Sequence, residues 1–390
     1  MRCHTPISLA IALLALGCDP PPRCPHAQVV PPATEGRVGW LDATRPRVEI
    51  GISGGTHPAL LDTAFPRSSL SAVGSSFDFF APITLGGASV GPLQWGVLFP
   101  GDLDFEFLVG ADALSYAPLV FDARAAETRV ERDFTPGPGA APLSLWSTGL
   151  CQDDRENGIP EGPDLLLVEA DLDGQTLTLA VDTGADLTFV RQGALPDLAT
   201  RPTLTGLPVH TAFAGDFTAT ATRARALSVG GQASLASPIL TAPQLDVGLD
   251  AFLQQFRDPP PRLDGALGRS FLREFEVSLA LGDDAVTGRA IGLTRFDTQT
   301  HWSRDFVGIG IATAPSDAPL GLRIGALLSA SPARDAGLQV GDVIATVNGV
   351  PARQASQPWG QPGDVVHLEL DHGGSTRTAD VRIADLLPDP

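Results

Sequence analysis

Asp62 closes an apolar run and is followed by Thr63 in the stretch LLDTAFPRSSL (60–70). Asp182 closes an apolar run and is followed by Thr183 in LAVDTGADLTFV (179–190). Two carboxyls that face each other share one proton, because like charges that close cannot both ionise. The ionised member can then take a proton from a water while the protonated member polarises a carbonyl, and the pair titrates as a unit. Threonine hydroxyls can tie the two loops together. A glycine after the threonine lets backbone approach a carboxylate closely. The second stretch has Gly184 at that place and the first has Ala64.

Such a pair needs two strands that end side by side, and the sequence supplies them as an internal repeat. VEIGISGGTHPALLDT (48–63) and LLLVEADLDGQTLTLAVDT (165–183) each read as a hairpin that delivers Asp-Thr at the end of a buried strand. ITLGGASVGPLQWGVL (83–98) matches LSVGGQASLASPILTA (227–242), strand, Gly-Gly turn, strand. FLVGADALSYAPLVFD (107–122) matches GALGRSFLREFEVSLA (265–280), apolar residue and glycine, short helix, strand. The copies differ in length: Asp62 to Gly86 is 24 positions (86 − 62) and Asp182 to Gly230 is 48 (230 − 182). The extra segment, 206–226, has β-formers on both sides of Ala214-Gly215-Asp216 and predicts a hairpin with its tip near Gly215.

Between the copies, residues 135–164 are rich in Pro and Gly and lack periodicity, which predicts a linker. A different module occupies 304–390. In it SPARDAG predicts a short helix with Ser331 as N-cap, Pro332 in the first turn and Gly337 as the stop. GDVIATVNG predicts a strand closed by an Asn-Gly turn, and DVVHLEL and TADVRI complete an antiparallel set.

Composition narrows the classes. An apolar share of 43% supports real cores, and 42 Gly and 35 Pro among many short apolar runs point to a mainly all-β protein. A net charge of −19 repels phosphate and argues against nucleic acid as a partner. The first residues read as a targeting segment: Arg2, then the apolar run 7–16, too short to span a bilayer as a mature helix. After a signal peptide of 1–17, residues 18–44 read as a Pro-rich tether. Cys24 and Cys151 remain as an even pair that an oxidising compartment could join. Cys18, Cys24 and His26 have no matching second half for a metal site. The scattered histidines lack ligand spacing, and no phosphate-cradling loop is present, so neither metal nor cofactor is expected.

The repeats resemble retropepsin-like aspartic protease domains, the viral-type half of the pepsin fold, over residues 45–298. LAVDTGADLTFV followed by ALGRSFL carries the closer match. The resemblance implies a pepsin-like pseudo-dimer of lobes 45–134 and 165–298, with Asp62 and Asp182 catalytic and a peptide or protein substrate. It implies supporting roles for Thr63, Ala64, Ser68 and Gly110 in the first lobe, and for Thr183, Gly184, Thr188 and Gly268 in the second. The first lobe departs from the family pattern at Ala64, and its Phe65 and Pro66 replace Ala185 and Asp186. The length difference implies a single flap, given by the second lobe.

The last module resembles a bacterial PDZ domain, which implies binding of protein C-termini by strand addition. Phe306, Val307, Gly308 and Ile309 would form the carboxylate-binding loop, with Ala336 to Leu338 beside the groove. ALGC at 15–18 resembles a bacterial lipoprotein signal, implying lipid on Cys18, a membrane anchor and a place in the cell envelope. An ordinary secretory signal is the alternative. The function expected is an extracytoplasmic aspartic endopeptidase. The alternative is a non-catalytic peptide-binding lipoprotein that uses the same lobes as a scaffold.

Overall fold

The computed structural model describes residues 34–42, 45–52, 54–65, 68–70, 79–97, 106–114, 117–133, 139–146, 165–195, 197–211, 215–254, 262–280, 289–296, 306–314, 321–328, 330–355, 359–372 and 374–387. The protein is mainly β. The chain divides into two compact units, each drawn from three segments: 1–188, 227–234 and 249–298 in the first, and 189–226, 235–248 and 299–390 in the second.

In the first unit the repeat is realised register by register. Arg45–Ile52 pairs with Gly55–Leu61, and Leu165–Leu172 pairs with Gln175–Val181, both antiparallel. The second strand of each hairpin lies parallel to a short buried strand, Leu61 opposite Val109 in one copy and Val181 opposite Leu267 in the other. Gly51 faces Thr84 in the first copy and Asp171 faces Ser228 in the second, which are equivalent positions. The Gly-Gly turns also agree: φ is 55° and 88° at Gly86 and Gly87, and 57° and 78° at Gly230 and Gly231. Two successive left-handed residues make the turn whose twist matches a hairpin, and glycine adopts them without a Cβ clash.

Six strands join the copies in the order Ala141–Pro142, Ala290–Arg295, Phe275–Ala280, Leu119–Asp122, Glu127–Val130, Gly36–Asp42. The centre is an antiparallel pair, Leu119 opposite Leu279 and Phe121 opposite Val277, and the arrangement repeats outward on both sides. Two stretches depart from the sequence reading here. Residues 36–42, read as tether, form a strand against Glu127–Val130, and Trp40 Nε1 donates to Thr128 Oγ1 at 2.9 Å. Residues 141–146, read as linker, form Ala141–Pro142 and Ser144–Trp146, which pair with Ala290–Arg295 and Leu165–Leu172. Both stretches are short and carry little periodicity of their own. The partners of Gly36–Gly39 and of Ala141–Pro142 lie more than eighty positions away, and those of Ser144–Trp146 about twenty.

The second unit contains the expected hairpin, Leu204–Thr211 with Gly215–Arg223, extended by Pro238–Thr241. It also contains a meander in the order Ile311–Ala314, Leu322–Leu327, Val343–Val347, Val365–His372, Ser375–Arg382. The helix Pro332–Asp335 has Ser331 as N-cap, whose Oγ accepts from Arg334 N, and Gly337 with φ 75° stops it. Asn348 and Gly349, at φ 52° and 78°, make the predicted turn.

Candidate active site

Each Asp follows the last residue of its strand. The Asp62 amide donates to Val109 O at 3.0 Å and the Asp182 amide to Leu267 O at 3.1 Å, so the parallel strand pairs fix both loops. The threonines then cross-link the copies. Thr63 N–H donates to Thr183 Oγ1 and Thr183 N–H donates to Thr63 Oγ1, both at 3.1 Å. The hydroxyls donate onward, Thr63 Oγ1 to Val181 O at 2.7 Å and Thr183 Oγ1 to Leu61 O at 2.8 Å. Both threonines are buried, so each unmade bond would leave an orphaned polar group, costing about 1–3 kcal/mol.

The remaining supports also match. Ser68 Oγ accepts from Gly110 N–H at 3.0 Å, and Thr188 Oγ1 accepts from Gly268 N–H at 3.1 Å. Ala111 N–H donates to Phe65 O at 2.7 Å, and Arg269 N–H donates to Ala185 O at 3.0 Å. Gly268 is required by packing, since a Cβ there would lie 2.4 Å from Leu187 O.

Ala64 fills the glycine position without changing the hydrogen bonding. Its amide donates to Asp62 Oδ1 at 3.0 Å, and in the second loop the Ala185 amide donates to Asp182 Oδ1 at 2.7 Å. Neither Ala64 nor Gly184 has a positive φ. The glycine of the second loop is required by contact: a Cβ on Gly184 would stand 2.5 Å from Asp62 Oδ2. That contact also places the Asp62 carboxyl directly against the loop of the other copy.

Both carboxyls are shifted toward the protonated form. Burial raises Asp62 well above the ordinary carboxylate range, and the charge of Asp182 raises it further, against the amides of Ala64 and Phe65. Burial also pushes Asp182 up to about 6, against the amides of Ala185 and Gly184 and with a smaller upward push from Asp186. Carboxyls raised in this way favour keeping a proton, and a pair that holds one proton is a state suited to activating a water.

The sequence reading missed Arg269 and Ser270. The Arg269 guanidinium donates to Asp186 Oδ1 at 3.0 Å, and Ser270 Oγ accepts from Thr188 N–H at 2.9 Å. The first copy has Pro66 and Ala111 where the second has Asp186 and Arg269, so this ion pair belongs to one loop alone. The joint absence of both partners from the first copy was a readable signal.

In the C-terminal module, Phe306, Ile309 and Leu338 are buried, Gly308 and Ala336 partly so, and Val307–Gly308 pairs with Ala384–Asp385. Ile309 and Leu338 belong to the module's own core with Ile324, Ala333 and Ile344, and Ala336 packs against it. Ile311–Ala314 is one end strand of the meander and Ser375–Arg382 is the other. Cys18, Cys24 and Cys151 lie outside the described residues.

No protein-family model matches the chain, and no curated protein matches it. Among solved structures the chain is similar to a PDZ domain protein from Parabacteroides distasonis, at 22% identity over 20% of each chain with a TM-score of 0.18. It is also similar to a photosystem II D1 C-terminal processing protease, at 22% identity over 22% of this chain and 24% of that one, with a TM-score of 0.19. The chain thus spans less than a quarter of the length of either structure.

Proposed function

We propose that the protein is an aspartic endopeptidase in which Asp62 and Asp182 activate one water against a peptide bond. The observation that carries this reading is the reciprocal Thr63–Thr183 hydrogen bonding, which binds two equivalent Asp loops into one floor. One carboxyl of the pair holds the shared proton and polarises the carbonyl while the other takes the proton from the water, and the pair titrates as a unit. Burial pushes Asp182 up to about 6. The singly protonated pair then exists from about pH 6 upward, so activity rises through pH 6 instead of peaking in strong acid.

The test is hydrolysis of a diverse peptide library from pH 3 to 8, with and without pepstatin, by wild type, Asp62→Asn and Asp182→Asn. Both variants are expected to be inactive. Full activity of Asp62→Asn beside a dead Asp182→Asn would refute the intramolecular pair, and a wild type that cleaves nothing at any pH would leave the lobes as a peptide-binding scaffold.

The C-terminal module is read as a PDZ-type domain that takes protein C-termini by strand addition along Ile311–Ala314. Export and lipid attachment at Cys18 complete the proposal. Cys18→Ala is expected to abolish incorporation of labelled lipid, and retained label in that variant would exclude the anchor.

A further inference from the structure

Arg223 ends the hairpin strand Gly215–Arg223 and is only 1% exposed. Among the described residues its guanidinium donates to Leu387 O at 2.6 Å, Ala236 O at 2.9 Å and Asp385 Oδ1 at 3.2 Å. Two of the three belong to residues 384–387. That segment is held at its other side by the C-terminal module, where Val307 pairs with Asp385, Gly308 pairs with Ala384, and Leu386 N–H donates to Phe306 O at 2.8 Å. Leu387 itself is fully buried.

The hairpin side of this contact is equally committed. Arg201 donates to Arg223 O at 3.2 Å and is itself fixed by Asp197 at 2.7 Å. Ala236 stands at φ 57°, a left-handed conformation that alanine adopts only when its surroundings impose it. Each acceptor withdrawn from a buried guanidinium is costly, because a charge left without partners in the interior is strongly unfavourable.

We propose that residues 384–387 are a latch on the hairpin 204–223, closed by Arg223, so that the hairpin and the C-terminal module loosen together. Whatever withdraws Ala384–Asp385 from Val307–Gly308, such as a competing strand, releases the hairpin. This inference does not depend on the peptidase reading.

The test is hydrogen–deuterium exchange on the full-length protein as wild type, Arg223→Met and Asp385→Asn. In Arg223→Met the amides of Leu204–Thr211 and Gly215–Arg223 should exchange at least about 10-fold faster, as expected for loss of a buried charged network. Residues 307–308 and 384–387 should accelerate with them, while Val365–His372 and Ser375–Arg382 keep their protection. Asp385→Asn retains the two carbonyl acceptors and should give the same pattern at smaller amplitude. Acceleration confined to the hairpin, with 384–387 unchanged, overturns the latch. If Arg223→Met does not fold, Asp385→Asn decides: an unchanged hairpin in that variant also overturns it.

Discussion

Replacing Asp182 by Asn should stabilise the protein at neutral and alkaline pH, because the carboxyl pair works against folding there. Burial raises Asp182 from 3.8, its value in an unstructured chain, to about 6. A carboxyl raised on folding favours the native state while it is protonated and loses that advantage as pH rises through its native value. The loss begins near pH 4, is half complete near pH 5 and levels off above about pH 6. A shift from 3.8 to about 6 corresponds to at most about 3 kcal/mol, at about 1.4 kcal/mol per pH unit. For a unit of this size that is roughly 6–12 °C in Tm.

Asn keeps an oxygen able to accept from the Ala185 amide, now 2.7 Å from Asp182 Oδ1, so the loop retains its internal bond. The assay is thermal unfolding of wild type and Asp182→Asn at pH 4, 6 and 8. Exchange of the amides in Gly55–Leu61 and Gln175–Val181 assigns the transition to the first unit. The two proteins should melt together at pH 4 and diverge at pH 8 with the variant higher. If Asp182→Asn is equal to or less stable than wild type at pH 8, the carboxyl is not held against its preference and the enclosed-pair argument fails. Asp62, raised by burial and by the charge of Asp182, should behave in the same direction.

Three further outcomes follow from particular contacts. Gly184→Ala sets a Cβ 2.5 Å from Asp62 Oδ2, and because a displacement of about 1 Å in a reacting group costs on the order of 100-fold in rate, peptidase activity should fall by about that factor. Ala64→Gly keeps the amide that serves Asp62 Oδ1, and steady-state kinetics should stay within about threefold of wild type, as expected where no transition-state contact is removed. Thr183→Val leaves the Thr63 amide and Leu61 carbonyl without their partner; denaturant unfolding should show a loss of about 2–4 kcal/mol. The double variant with Thr63→Val should fall short of the sum, because both residues share one network.

The local elements were legible because they rest on neighbours in sequence. The Gly-Gly turns, the Asn-Gly turn and the Ser331 cap declare themselves within a few residues, since positive φ and capping are local requirements. The equivalence of the two Asp loops was also legible, as a repeat. In the C-terminal module, Ile309, placed by the sequence in the carboxylate-binding loop, and Leu338, placed beside the groove, both pack in the module's core. An apolar side chain looks the same in a sequence whether it faces a groove or an interior.

By itself, then, the sequence determined that two hairpins each end in Asp-Thr, with a glycine-led helix following each. Only the tertiary structure decided that Thr63 and Thr183 exchange hydrogen bonds across 120 positions, and that Gly184 is needed because Asp62 lies against it. It also joined Arg269 to Asp186 and buried Arg223 against Asp385 and Leu387. These decisions depend on which distant strands pair, and a pairing between residues over a hundred positions apart leaves no periodicity in either one.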